Sequence, residues 1–136
     1  MFVFKSGHDP HTNNIQLGRF GRNRSNVWNS AGPNSFARNS SKNPLESHPT
    51  VKPIALVADA MLDCTKRNDI VIDPYLGSGT TILAAERTGR RCHAIEIDGR
   101  YVDTAIKRWE QLTKQEAKDI NGRTFAQTRS DRGVDQ

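Results

Sequence analysis

The sequence predicts an α/β fold built on a parallel sheet that this chain leaves incomplete. Three observations carry the prediction. A β-branched run, Val71-Ile72-Asp73, ends in an acid and enters a glycine-rich turn, Gly77-Ser78-Gly79. A helical pattern follows as far as Thr88, with Gly89 as its C-terminal stop. A second apolar run, Cys92-His93-Ala94-Ile95-Glu96-Ile97, comes directly after. Strands alternating with helices imply parallel pairing through crossover connections. Two core strands are few for a sheet of this kind, which wants neighbours on both sides.

The elements follow in order. Residues 2–5 read as a strand or the end of one. From Ser6 to Ser47 the chain is rich in Gly, Asn and Ser. A short strand is expected there around Asn26-Val27-Trp28, and so long a connection is usually functional or disordered. Pro53 suits the first turn of a helix, and Ile54, Leu56, Val57, Ala60 and Met61 continue it amphipathically to about Lys66. The first core strand spans Asp69 to Asp73, the next helix Ser78 to Thr88, and the second core strand Arg91 to Ile97. Asp98 is a good N-cap. Val102, Ala105, Ile106, Trp109 and Leu112 then recur at helical spacing to about Lys114, with Trp109 read as core. Beyond Glu116 the chain turns polar and a disordered tail is expected. The resulting division is a basic, Asn- and Ser-rich segment at 1–47, an α/β unit at 48–117 and a tail at 118–136.

Composition narrows the class. With 136 residues the chain is one small domain at most. Hydrophobic residues make up 35%, below the roughly 45–50% of globular domains, a range that counts Gly as well, so part of the chain is expected to be unpacked. No apolar run reaches the length of a membrane span. Cys64 and Cys92 lie far apart on apparently buried faces, without metal-ligand spacing, and read as reduced core thiols of a cytoplasmic protein. No metal site is expected. The net charge of +5 is uneven: residues 1–52 hold seven Lys and Arg against two acids, and the remainder is balanced. A solvated basic loop is one reading of that segment. Its amides and its aromatic Phe20, Trp28 and Phe36 favour another, contact with nucleic acid.

The turn is the chemical centre. Glycine permits positive φ and close approach of a ligand to the backbone, and the following helix offers unpaired N–H groups and its positive dipole end. Glu96 lies 23 residues after Asp73, near the spacing at which an acid grips ribose hydroxyls. A Walker loop is excluded because no Lys follows Gly79. A dinucleotide fingerprint is weakened because Ile82 stands where a third Gly belongs. S-adenosylmethionine, an adenosine and an amino acid without phosphate, suits two glycines, a strand-end acid and a ribose acid. An ordinary βαβ turn without ligand is the remaining reading.

Three blocks carry a resemblance. His48-Pro49-Thr50-Val51-Lys52-Pro53, Asp73-Pro74-Tyr75-Leu76-Gly77-Ser78-Gly79-Thr80-Thr81, and Ala94-Ile95-Glu96-Ile97-Asp98-Gly99-Arg100-Tyr101-Val102, in that order, resemble the C-terminal half of bacterial and phage DNA amino-methyltransferases with permuted motif order. The resemblance covers about residues 1–115. It implies a partial Rossmann-like S-adenosylmethionine-dependent methyltransferase fold, double-stranded DNA as partner, a restriction-modification setting, and methylation of the exocyclic amine of adenine, in preference to cytosine. It further implies that Asp73, Gly77, Gly79 and Thr80 line the methionine end of S-adenosylmethionine and that Tyr75 and Thr81 also bind the cofactor. Glu96 would accept from the ribose hydroxyls, Ile97 would pack beside the adenine, and Thr50 and Lys52 would close the carboxylate side. Arg19, Arg22, Asn23, Arg24 and Trp28 would contact DNA.

One family element is missing. Methylating a base amine requires a pocket for a flipped base, which the resemblance assigns to an Asp, Asn or Ser followed by Pro-Pro and an aromatic. Asp9-Pro10-His11, Asn43-Pro44-Leu45 and Asp73-Pro74-Tyr75 each lack the second Pro. No catalytic residue is therefore assigned. The expectation is a methyltransferase fragment, inactive without a separate N-terminal catalytic half. The alternatives are a non-catalytic DNA- or S-adenosylmethionine-binding remnant or split subunit and, more weakly, a nicotinamide-dependent enzyme.

Overall fold

The computed structural model describes residues 7–16, 18–19, 27–28 and 52–133. Its elements are α1 (Ile54–Cys64), β1 (Ile70–Asp73), α2 (Thr80–Thr88), β2 (Arg91–Ala94), α3 (Gly99–Thr113) and α4 (Phe125–Asp131). β1 and β2 pair in parallel, with Ile70 opposite Arg91 and Asp73 opposite Ala94. Among the described residues the sheet has these two strands. The expected α/β architecture with an incomplete parallel sheet is what the chain forms.

Period-two alternation divides the sheet. Val71, Asp73, Cys92 and Ala94 face inward, while Ile70, Ile72, Arg91 and His93 are exposed. The inner face meets a small core of Met61, Ala84 and Ala85, flanked by Ile54, Val57, Ala58, Val71 and Cys92. Ala84 and Ala85 are almost fully buried; their small side chains let α2 come close to α1. Two polar devices finish α1. Arg90 donates to the Thr65 carbonyl at 2.7 Å and to its hydroxyl at 3.0 Å. From the N-terminal segment, Asn14 donates through Nδ2 to the carbonyls of Leu62 and Thr65, both at 2.8 Å, and through its backbone N–H to Asp63 at 3.0 Å. These bonds satisfy carbonyls that the helix end leaves open.

α2 ends as its sequence requires, with Gly89 in the left-handed region (φ 69°). α3 begins at Asp98, whose side chain accepts from the Arg100 N–H at 2.9 Å. Several sequence expectations are corrected. α2 starts at Thr80, because Ser78 lies between glycines with φ of 58° and 87°. β2 ends at Ala94, not Ile97, because the Glu96 carboxylate bonds backbone N–H groups on both sides of itself and turns the chain. Val27 and Trp28 lie in no strand. Cys64 is exposed, not core, although its thiol donates to the Ala60 carbonyl at 3.1 Å.

The polar C-terminal stretch is ordered where disorder was expected. Lys118 bridges Thr124, and α4 opens on a capping box in which Thr124 Oγ1 accepts from the Gln127 N–H and the Gln127 side chain accepts from the Thr124 N–H. Lys107 of α3 lies over the Phe125 ring at 5.9 Å, which ties α4 to α3, and Arg129 of α4 lies over the same ring at 5.8 Å. The expected strand at 2–5 and residues 134–136 lie outside the described residues.

Candidate cofactor cleft

The cleft opens at the C-terminal end of β1, where parallel strands generally present ligand sites. Asp73 organises it. Its Oδ1 accepts from the Tyr75 N–H at 3.0 Å and its Oδ2 from the Thr81 hydroxyl at 2.6 Å. One carboxylate thus joins the strand end to the first turn of α2. The main chain fastens the same corner to β2: Ile95 donates to Asp73 at 3.0 Å and Leu76 donates to Ile95 at 3.1 Å.

Glu96 closes the other side. Its Oε2 accepts from the Gly77 N–H at 2.7 Å and its Oε1 from the Asp98 N–H at 2.9 Å. The N–H of Asp98, then that of Gly77, hold the carboxyl below the ordinary glutamate range. A carboxylate has about four lone-pair directions; two are used here, so Glu96 keeps capacity to accept from hydroxyl groups of a ligand. α2 has Gly79 as its N-cap and no capping side chain. Its first N–H groups and positive dipole end therefore face a potential anionic group.

The two glycines do different work. A Cβ built on Gly77 meets nothing within 4 Å, whereas one on Gly79 would come within 2.7 Å of the Ala105 Cβ and 2.9 Å of its Cα. Gly77 keeps the backbone bare towards the cleft, and Gly79 lets α3 pack directly against the turn. One helical turn beyond Ala105, Arg108 donates to the Ser78 carbonyl at 2.5 Å and to the Ser78 hydroxyl at 2.9 Å. Burial pushes the Arg108 guanidinium below its usual range. Trp109 completes the brace by donating to Glu86 of α2 at 3.1 Å.

The cleft holds about 350 Å³, within the range of small-molecule sites. Of the residues singled out in the sequence, Lys52, Asp73, Tyr75, Gly77, Thr80, Thr81 and Glu96 line it together. Gly79 is buried behind it, and Ile97 is fully exposed outside it. Thr50, Arg22, Asn23 and Arg24 lie outside the described residues. Arg19 bonds back to Gln16, and neither Arg19 nor Trp28 lines the cleft. Four lining residues were not singled out: Val57, Leu76, Ser78 and Tyr101. Leu76 and Ser78 lie within the turn, whose continuity could have found them; Val57 and Tyr101 reach the cleft only through packing. Cys92, on the inner face of β2, has its thiol pKa raised by burial and then by the Asp73 charge, which favours the protonated form.

Known proteins bear on this geometry. A family model described as DNA methylase matches residues 5–107. The chain is 37% identical over 96 residues to the type II methyltransferase M.ScaI of Streptomyces caespitosus, covering 71% of this chain and 31% of that protein. It is 39% identical over 75 residues to the type II methyltransferase M.HinfI of Haemophilus influenzae, covering 55% of this chain and 21% of that protein. The chain thus spans a third or less of the length of these curated relatives. Among solved structures, the M1.HpyAVI–SAM complex matches with 44% identity and a TM-score of 0.44, over 46% of this chain and 33% of that one.

Proposed function

Because the chain belongs to the DNA methylase family, whose cofactor is S-adenosylmethionine, we propose that it forms the cofactor-binding part of a DNA amino-methyltransferase. The observation that carries this reading is the meeting of Lys52, Asp73, Tyr75, Gly77, Thr80, Thr81 and Glu96 around one cleft. Asp73 suits the ammonium of the methionine moiety. The α2 N-terminus and Lys52 suit its carboxylate. Glu96, held as a carboxylate by two backbone N–H groups, suits the ribose hydroxyls. Ile97 and Tyr75, exposed at 99% and 88%, offer apolar surface that an adenine would cover. The cofactor supplies the methyl group, and the acceptor is the exocyclic amine of adenine or cytosine.

The basic N-terminal segment, with Arg19, Arg22, Asn23, Arg24 and Trp28, is proposed to contact double-stranded DNA in a cytoplasmic restriction-modification setting. The base-holding residues are proposed to come from another polypeptide segment. Two observations support this. The sequence contains no Pro-Pro pair. The outer face of the sheet carries Ile70 and Ile72 exposed at 52% and 74%, although parallel sheets are normally covered on both faces.

Calorimetric titration with S-adenosylmethionine tests the cofactor reading, and absence of binding would refute it. A methylation assay with this chain alone should give no transfer; robust turnover would overturn the split-site reading. With a catalytic half added, mass spectrometry of digested DNA reads the target. The expectation of adenine rests on the resemblance alone. A non-catalytic remnant would bind DNA or cofactor yet never restore transfer.

A further inference from the structure

We propose that Arg108 is a positioning residue for the cofactor turn: without lining the cleft, it fixes Ser78 from behind and so sets where Gly77 presents its backbone N–H. The inference rests on the cofactor reading above.

The turn needs such a restraint. Ser78 lies between two glycines with φ of 58° and 87°, and glycine has more conformational freedom than any other residue. On the cleft side the turn is held by the bond from Gly77 to Glu96 at 2.7 Å. On the opposite side it is held from α3. Ala105 packs on Gly79 but offers no polar group, so it limits approach without fixing the rotation of the Ser78 peptide. Arg108 supplies that fixation by donating to both the carbonyl and the hydroxyl of Ser78, at 2.5 and 2.9 Å. The carbonyl belongs to the Ser78–Gly79 peptide, which leads into the uncapped N-terminus of α2. Among the described residues Arg108 forms no ion pair with a carboxylate, and its hydrogen bonds go to Ser78. It is half-buried. A charged group held in that setting makes strong, directional bonds to its acceptors.

The test uses the full chain carrying Arg108→Met, which keeps the apolar stem and removes the guanidinium, and Arg108→Lys. Amide spectra of the cofactor-free proteins and calorimetric titration with S-adenosylmethionine are read together. Arg108→Met should shift the Gly77, Ser78 and Gly79 amides and weaken cofactor affinity about ten-fold; Arg108→Lys should recover part of both. Unmoved amides in Arg108→Met, or wild-type affinity, overturn the proposal. Should Arg108→Met fail to fold, the same two readouts on Arg108→Gln decide it by the same criteria. Should the wild-type chain bind no S-adenosylmethionine, the cofactor reading falls, while the amide shifts still decide whether Arg108 positions the turn.

Discussion

At the scale of single residues, Gly77 and Gly79 separate two roles that the sequence presents as one. Gly79→Val should be chiefly a folding defect, since its side chain would meet Ala105 at 2.7 Å from a φ of 87°. Overpacking of this kind costs roughly 1–3 kcal/mol, and a left-handed β-branched residue adds about 1–2 kcal/mol; urea unfolding measures the sum. Gly77→Val shares the left-handed strain, with a φ of 58°, but meets no packed neighbour, so it should cost less stability than Gly79→Val while adding a steric conflict with the cofactor. Equal losses of stability in the two variants would contradict this division. Glu96 gives a pH test. Its carboxyl is held low by the N–H groups of Asp98 and Gly77, so the stability it adds to the turn is complete above the ordinary glutamate value and disappears as pH falls through the lowered one. Cofactor affinity should therefore persist through the ordinary glutamate range and fail only at more acid pH. Glu96→Gln should weaken binding and abolish that acid limb. A carboxyl resonance titrating at the ordinary value would refute the argument.

At the scale of elements, α1 and α2 depend on a narrow core. Met61 is 5% exposed, and Met61→Ala should cost about 2–4 kcal/mol, as for other large-to-small core changes, read as a fall in the urea midpoint. α4 depends instead on its start. Thr124→Ala removes the capping box and should cost about 1 kcal/mol locally, seen as faster amide exchange at residues 125–131 with α1 to α3 unchanged. Uniform protection in the variant would show that the contacts of Phe125, not the cap, order this helix. The elements also mark where the sequence was legible. α1, β1, α2 and α3 carry strong local signals: apolar period, Gly89 as a stop, Asp98 as a cap. β2 was read too long, since the apolar Ile95 and Ile97 continue the strand pattern while the bonds made by Glu96 bend the chain. The C-terminal helix was missed because polar composition outweighed a short signature, Thr124-x-x-Gln127. Most cleft residues were legible because the turn places them consecutively. Arg108 was not, since only the packing of Ala105 on Gly79 brings it to the turn.

At the scale of the molecule, the described residues form a βαβ unit whose inner sheet face meets the core of α1 and α2 and whose outer face carries exposed isoleucines. If the base-holding residues come from another polypeptide as proposed, adding that polypeptide should protect the β1 and β2 amides from exchange and raise the melting temperature of this chain. A mixture that restores methyl transfer while leaving β1 unprotected would show that the halves meet elsewhere. The exposed Ile70 and Ile72 have a consequence for the life of the polypeptide in a cell. Apolar side chains on an uncovered sheet are what chaperones bind and what invites self-association, and transiently open chains are cleared by proteases. The abundance of this chain should therefore follow the supply of whatever covers that face, and an orphaned copy should turn over quickly even though its cofactor corner is well knit.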